Sequence, residues 1–142
     1  MDERASVLVV DNDGTLLCMF RLMFETEGYR CETCTSAQSA LELIDRIPFQ
    51  VMLTDIVMPD HSGLELTEKA KRLRPHMIII AMTGFIDDFT YDRAIEAGAS
   101  DFIKKPFTLL EIMHRISQVK LQENLRMLSI TNDFITCEDA SL

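Results

Sequence analysis

Apolar runs alternate with amphipathic stretches five times along the chain. The runs near residues 6, 49 and 77 are continuous and rich in aliphatic side chains, which is typical of strands buried on both faces. The five predicted strands are residues 6–10, 29–34, 49–54, 77–82 and 101–105. A strand-then-helix order repeated five times predicts an α/β fold, a doubly wound parallel sheet with helices on both faces.

Helix boundaries are marked by short signals between the runs. Gly28 and Gly98 are placed to end the first and fourth helices, and Ser36 is placed to cap the start of the second. The last helix opens with a capping-box pattern, Thr108-Leu-Leu-Glu111. We expect the strand at 77–82, the most apolar of the five, to be central, and the more polar strand at 29–34 to lie at an edge.

The apolar pattern of the last helix continues past the fifth repeat. Leu121, Leu125 and Leu128 form a stripe, too short to identify a coiled coil, that predicts a helix extension. This extension either packs back on the domain or serves as a dimerising or linker helix. Residues 131–142 are polar and aperiodic, so we expect them to be frayed. We therefore divide the chain into a domain of residues 1–120 and a segment of residues 121–142 that could link it to an output domain.

Charge, apolar runs and cysteines narrow the class of protein. The net charge of −9 argues against direct nucleic-acid binding, and no run reaches the roughly 20 apolar residues of a membrane span. The N-terminus also lacks a signal peptide pattern. Cys31 and Cys34 are three positions apart on a predicted strand, hence on opposite faces, which favours structural thiols over a metal or redox pair. Free thiols of this kind predict a cytoplasmic protein.

Polar residues collect where predicted strands end. The set comprises Asp11, Asn12, Asp13, Asp55, Thr83 and Lys105. In an open parallel sheet the carboxyl ends of the strands share one rim, where ligands bind. Clustered carboxylates there favour Mg²⁺, and one of them can act as a nucleophile to form an aspartyl phosphate. We take Asp55 as that acceptor, although Asp55 as a cap, Asp11 and Asp13 as turn formers and Thr83 as a strand end are structural alternatives.

The rim residues occur in a familiar series of motifs. These motifs are Val9-Val10-Asp11, Asp55-x-x-Met58-Pro59-x-x-x-Gly63, Thr83-Gly84 and Lys105-Pro106-Phe107. In order and approximate spacing they resemble the receiver domain of two-component response regulators, over about residues 7–119. The resemblance implies a flavodoxin-like (βα)₅ fold with strand order 2-1-3-4-5. It also implies a phosphorelay protein that accepts a phosphoryl group from a sensor histidine kinase or phosphotransfer protein and catalyses its own phosphorylation and dephosphorylation.

The resemblance also assigns roles by position. Asp55 matches the phosphoacceptor, while Thr83 and Lys105 match the switch hydroxyl and the phosphate-binding lysine. Phe102 matches the aromatic switch residue, which in the family turns inward when the hydroxyl moves toward the phosphoryl group. The face of the fourth helix, fifth strand and fifth helix would then bind a downstream target or output domain. A homodimer is a further candidate partner.

The metal site departs from the family pattern. Asp11, Asp55 and the backbone carbonyl of Val57 match Mg²⁺ ligands, but Asn12 stands where the family usually has a second acid. An amide oxygen carries no charge, so we expect weaker Mg²⁺ binding, with Asp13 as a candidate compensating ligand.

Two other functions remain open. Residues 11–16, Asp-Asn-Asp-Gly-Thr-Leu, also match the first motif of haloacid-dehalogenase-type phosphatases, with Asp11 as nucleophile and Asp13 as acid/base. That alternative lacks a late acidic pair and leaves the motif at Asp55 unexplained. The second is a receiver-like docking module that is not phosphorylated, for which Asn12 is the best support.

Overall fold

The computed structural model describes residues 5–57, 62–84 and 88–140, with side chains for all of these except 88, 89 and 130–140. The strands are β1 Ser6–Val10, β2 Arg30–Cys34, β3 Val51–Asp55, β4 Ile78–Thr83 and β5 Asp101–Lys104. The helices are α1 Gly14–Thr26, α2 Ala37–Arg46, α3 Gly63–Leu73, α4 Asp88–Ala97 and α5 Leu109–Ala140. Strands and helices alternate throughout, as the hydrophobic pattern predicts.

The five strands form one parallel sheet in the order β2-β1-β3-β4-β5. This confirms the predicted topology and the edge position of β2. The strand at 77–82 is interior as expected, but the middle position belongs to β3. In the register, Val10 aligns with Thr54 and Asp55 aligns with Met82. The residues that follow β1, β3 and β4 therefore emerge at nearly one level.

Alternate residues of the strands pack into two separate hydrophobic cores, one on each face of the sheet. Val7 and Val9 of β1 pack with Phe20 of α1 and Ile112 of α5 on one face of the sheet. Leu8 and Val10 point to the other face, where the core includes side chains of α2 and α3. Helices thus cover both faces, as expected for a doubly wound sheet. Within the described residues, none of the helices is both long and apolar enough to cross a lipid bilayer.

The two cysteines of β2 join opposite cores. Cys31 belongs to the cluster that contains Phe20, and Cys34 packs against the cluster on the other face. Burial raises the pKa of Cys31 to about 12 and that of Cys34 to about 11. Both thiols are therefore protonated near neutral pH, which supports the structural interpretation.

The capping residues act as the sequence predicts. Ser36 Oγ accepts the N–H of Ser39 at 3.1 Å, and Thr108 Oγ1 accepts the N–H of Glu111 at 3.2 Å. Gly28 and Gly98 take φ values of 89° and 112° after α1 and α4. Glycine is the residue that adopts this left-handed backbone without strain, so both helices end where glycine permits it.

The predicted fraying of residues 131–142 is wrong for residues 131–140. Helix α5 runs unbroken for 32 residues to Ala140. The segment contains neither proline nor glycine, the two residues that end helices sterically or through backbone entropy. Threonine and asparagine are only weakly unfavourable in a helix, so polarity alone does not terminate it.

Candidate functional site

One lysine joins two of the predicted acidic residues. Asp11 directly follows β1 and is fully buried, and Asp55 is the last residue of β3 with 8% of its surface exposed. Lys105 follows β5, and its Nζ lies 2.6 Å from Asp11 Oδ2 and 3.1 Å from Asp55 Oδ2. The adjacent Lys104 is exposed, so Lys105 is the residue of the pair that enters the site.

The second oxygen of each carboxylate is held by the backbone. Asp11 Oδ1 accepts the N–H of Asp13 at 3.0 Å, and Asp55 Oδ1 accepts the N–H of Val57 at 3.0 Å. Each side chain is thus fixed by Lys105 on one oxygen and by an amide two residues later on the other. Both carboxylates are oriented before any ligand arrives, which lowers the entropy cost of binding one.

The carboxylates also determine the protonation of Lys105. Burial lowers the pKa of its ammonium, but the hydrogen bonds and negative charges of Asp11 and Asp55 outweigh burial. The net result is a pKa above the ordinary value of 10.5. Lys105 is therefore a fixed positive charge at physiological pH.

Two carboxylates and one ammonium leave one unit of negative charge on a mostly buried rim. Such a remainder favours a further cation, and oxygen donors of this type suit Mg²⁺. Asp11 and Asp55 supply charged oxygens, while Asn12, exposed on the following loop, supplies a neutral one. Among the described residues, no three side chains from His, Cys, Asp and Glu gather as a metal cluster. The donors fit Mg²⁺ in kind, with less charge than a site that has a third acid.

Asp13 has a structural role at this rim. It is the N-cap of α1, and its Oδ1 accepts the N–H groups of Thr15 at 3.0 Å and Leu16 at 3.3 Å. Its side chain is exposed, in contrast to Asp11. The turn-forming alternative thus describes one use of Asp13. It also describes the bond from the N–H of Asp13 to Asp11 Oδ1, but Asp11 contacts Lys105 as well.

Thr83 lies beside Lys105 in the sheet. It is the last residue of β4 and is 1% exposed. Its carbonyl oxygen accepts the backbone N–H of Lys105 at 2.7 Å, and the Lys105–Pro106 peptide bond is cis. The end of β4 is therefore hydrogen-bonded directly to the backbone that carries the lysine.

Phe102 lies in a small core next to the site. Its ring is 5% exposed and packs in a cluster with Ile56, Ala81 and Ala94, so it already points inward in this structure. The ring centroids of Tyr91 and Phe102 are 5.9 Å apart, and Tyr91 is 47% exposed. Tyr91 was not a predicted site residue. Its contact with Phe102 joins α4 to β5, so no spacing along the sequence indicates it.

Gly63 forms the floor beneath the acceptor. A Cβ built on it would overlap the carbonyl oxygen of Asp55 and lie 2.7 Å from Ile56 Cα. The N–H of Gly63 donates to the carbonyl of Ile56 at 2.9 Å. The start of α3 thus lies in close contact with the backbone of residues 55 and 56. Only glycine fits there, because any other residue would add a Cβ atom that overlaps this backbone. Met58 and Pro59 of the same motif lie outside the described residues.

Substituting alanine for Gly63 is expected to destabilise the fold by about 1–3 kcal/mol, because backbone atoms must move to accommodate the methyl group. Urea denaturation followed by circular dichroism measures the change. Gly14→Ala is the matched control, since nothing lies within 4 Å of its Cβ position and it occupies the first turn of a helix. Equal stabilities for the two variants would contradict the close contact.

The comparison with known proteins decides the family. Residues 7–117 match the model of the response regulator receiver domain. The chain belongs to the receiver domain family. It is 30% identical to the response regulator SaeR of Staphylococcus aureus over 113 residues, which are 80% of this chain and 49% of that protein. The chain therefore spans about half the length of the curated relatives it matches.

Solved receiver structures agree with the fold. A CheY-like receiver domain protein from Methanospirillum hungatei superposes with a TM-score of 0.81 at 33% identity, over 86% of this chain and 98% of that one. A response regulator from Burkholderia pseudomallei gives 0.75 at 25% identity, over 85% and 74%. The latter crystal structure contains a phosphorylated aspartic acid, a calcium ion and citrate. The predicted family and flavodoxin-like topology are confirmed, and the phosphatase alternative is not favoured.

Proposed function

We propose that this receiver domain accepts a phosphoryl group on Asp55 from a histidine kinase or a phosphotransfer protein, with Mg²⁺ as cofactor. The supporting observation is that Lys105 bridges Asp55 and the buried Asp11, which is an arrangement suited to neutralising phosphoryl oxygens. The phosphorylated aspartate of the Burkholderia relative gives the proposal a precedent within the family.

The chain's own groups would perform most of the transfer by positioning. Asp55 attacks phosphorus as the P–N bond of the donor phosphohistidine breaks, and the new bond joins phosphorus to a carboxylate oxygen. Lys105, held within reach of Asp55 Oδ2, would pair with a phosphoryl oxygen and offset its charge. Asp11, Asp55, the carbonyl of Val57 and the amide of Asn12 would hold Mg²⁺, which would supply further positive charge. Asp13 remains a candidate ligand through its second oxygen.

The surface formed by α4, β5 and α5 would transmit the change to a partner. Phe102 connects the site to this face, because it packs against Ala81 of β4 and lies under Tyr91 of α4. Arg115 of α5 pairs with Asp101 of β5, with Nη1 3.1 Å from both carboxylate oxygens. We propose that movement of Thr83 toward the phosphoryl group changes the packing of Phe102 and Tyr91, so that a target or output domain recognises the altered face.

The test is phosphorylation of the purified chain by acetyl phosphate with and without Mg²⁺. Intact mass spectrometry should show one added phosphoryl group that depends on Mg²⁺, and peptide mapping should place it on Asp55. Phosphate release from small phosphomonoesters, without a stable adduct at Asp55, would favour the phosphatase alternative. No adduct at millimolar Mg²⁺, and none from a panel of phosphorylated kinases, would indicate a docking module.

Asn12→Asp should tighten Mg²⁺ binding by about tenfold or more. A unit charge about 4 Å from a cation contributes on the order of 1–4 kcal/mol near a protein surface, and every 1.4 kcal/mol is tenfold. Isothermal titration calorimetry of the chain with MgCl₂ measures the change. Asn124→Asp adds the same charge on exposed α5 and serves as control. An unchanged Mg²⁺ affinity in Asn12→Asp would disprove the role assigned to this position.

Location and wider partners follow from the same proposal. We propose a cytoplasmic protein, in keeping with the free thiols of Cys18, Cys31 and Cys34. The net charge of −9 supports regulation through proteins rather than direct nucleic-acid binding.

A further inference from the structure

We propose that a cleft at the end of the sheet opposite Asp55 binds an acidic segment of a partner protein. The cleft lies between the α2–β3 and α3–β4 loops, at the first residues of β3 and β4, and has a volume of about 370 Å³. Asp55 is at the other end of β3, roughly 15 Å away at about 3.3 Å per residue. The cleft is therefore separate from the candidate phosphorylation site and from the surface formed by α4, β5 and α5.

The cleft has an apolar floor and apolar sides. Phe49 and Met77 are buried and form its floor. Pro48 and Pro75 are exposed at its sides, and Leu73, which also lines it, is 47% exposed. An apolar side chain of a partner would gain by covering these groups, because apolar surface is then removed from water on both molecules.

Two basic side chains hold the cleft in shape. Arg74 donates from Nε to the carbonyl of Ile44 at 3.1 Å and from Nη2 to that of Asp45 at 3.2 Å. These bonds tie the end of α3 to the end of α2. Lys71 Nζ donates to the carbonyl of Met77 at 2.8 Å and so holds the α3–β4 loop. Because both loops are fixed before a ligand arrives, binding there does not have to order them.

Positive charge surrounds the cleft, although the chain as a whole is acidic. Residues 45–50 and 68–78, which are the two loops and the helix ends beside them, carry five Lys or Arg side chains against two acids. Arg74 and His76 line the cleft, and no lining residue is acidic. In the part of the chain that the structure describes, neither of the two forms an ion pair with a carboxylate. In a chain with a net charge of −9, a local excess of cations attracts carboxylates to this one region.

Helix dipoles account for only part of this positive charge. Cations in the last turn of a helix offset its dipole, and α2 and α3 end with Arg46, Lys71 and Arg72. Helices α1 and α4 have no basic residue in the last turn, so the fold does not demand one. Arg74 and His76 lie beyond the end of α3. The cations are therefore concentrated around the cleft.

A short acidic peptide suits the cleft better than a nucleic acid or an anionic membrane. The groove that adjoins the cleft at Leu73, between α2 and α3, is lined by Glu42 and Asp45 as well as Lys69. The positive region is therefore short, and the acidic surface around it would repel a long polyanion or a charged lipid surface. A recess also accepts a side chain that projects from a peptide. The expected ligand combines an apolar residue with neighbouring carboxylates.

Selection from a library of short random peptides, with the full chain as bait, tests the proposal. We expect enrichment of peptides in which Asp or Glu accompanies a leucine or an aromatic residue. In fluorescence anisotropy these peptides should bind the Arg72→Glu, His76→Glu double variant about tenfold more weakly than the parent chain. Lys104→Glu, His114→Glu makes the same change of charge at exposed positions away from the cleft, and should bind like the parent. No enrichment of acidic peptides, or equal weakening in the two double variants, would overturn the proposal.

The apolar contact and the place of the cleft are tested with the same peptides. Leu73→Gln should weaken binding by about fivefold, whereas Leu22→Gln, which removes an exposed leucine of α1, should not. Asp55→Asn should bind with the affinity of the parent, because the cleft is at the other end of β3; weaker binding would contradict this separation. Melting curves check that each variant is folded. Single-stranded RNA or phosphatidylserine vesicles that bound more tightly than the peptides, and lost binding in the Arg72→Glu, His76→Glu variant, would reject an acidic peptide as the ligand.

Discussion

Asp55→Asn is expected to abolish phosphorylation by acetyl phosphate and by any cognate kinase. The amide is neutral and poorly nucleophilic, so no acyl phosphate can form at this position. The fold should be retained, because the oxygen of the introduced amide can still accept the N–H of Val57 and Lys105 keeps Asp11 as partner. Intact mass spectrometry measures the adduct, and a melting curve checks the fold.

Asp45→Asn, which removes an exposed carboxylate of α2, is the matched control and should be phosphorylated normally. Asp11→Asn adds a diagnostic comparison. If Asp11 is a metal ligand, its loss lowers the phosphorylation rate and raises the Mg²⁺ requirement without moving the adduct. An adduct that persists in Asp55→Asn but disappears in Asp11→Asn would reverse the assignment of the acceptor.

Lys105→Met is expected to slow phosphorylation by about 100-fold, the order of effect seen when one donor to a developing oxyanion is removed. It should also destabilise the metal-free protein by about 2–3 kcal/mol, because Asp11 and Asp55 then face each other without a cation. This value lies below that for a fully buried pair, since the lysine side chain is 24% exposed. Stopped-flow phosphorylation and urea denaturation measure the two effects.

Mg²⁺ and pH provide internal checks on Lys105→Met. Millimolar Mg²⁺ should restore part of the lost stability by supplying the missing positive charge, and Lys104→Met should behave like the parent chain. Because contact with the carboxylates raises the pKa of Lys105, its stabilising effect is complete below the ordinary value of 10.5 and is lost as pH rises through the higher folded value. A difference between Lys105→Met and the parent that was already absent between pH 7 and pH 9 would contradict this.

The fold was predictable because three of its five strands are apolar runs. Residues 77–82 contain only aliphatic side chains and methionine, which predicts a strand buried on both faces. The order of strands was not accessible from periodicity and came from the family resemblance. Hydrophobicity also misplaced the middle strand, because β3 and β4 are both fully buried and differ only in their neighbours.

The sequence predicted which residues form the candidate site, but it did not predict which of their atoms are in contact. A parallel sheet brings the ends of β1, β3, β4 and β5 to one rim, which is why Asp11, Asp55, Thr83 and Lys105 could be grouped from sequence. Which oxygen Lys105 would contact depends on side-chain packing across strands. Tyr91 and the close approach at residue 63 escaped notice for the same reason, since a ring on another ring or a Cα against a carbonyl is a three-dimensional contact.

The lysine bridge has a consequence for how the protein is made. A receiver whose rim held only carboxylates would be least stable during synthesis, before it has bound a divalent ion. Here the ammonium of Lys105 already places a positive charge against both carboxylates from within the chain. Under the proposed function, the fold would then not require magnesium, whereas phosphorylation would.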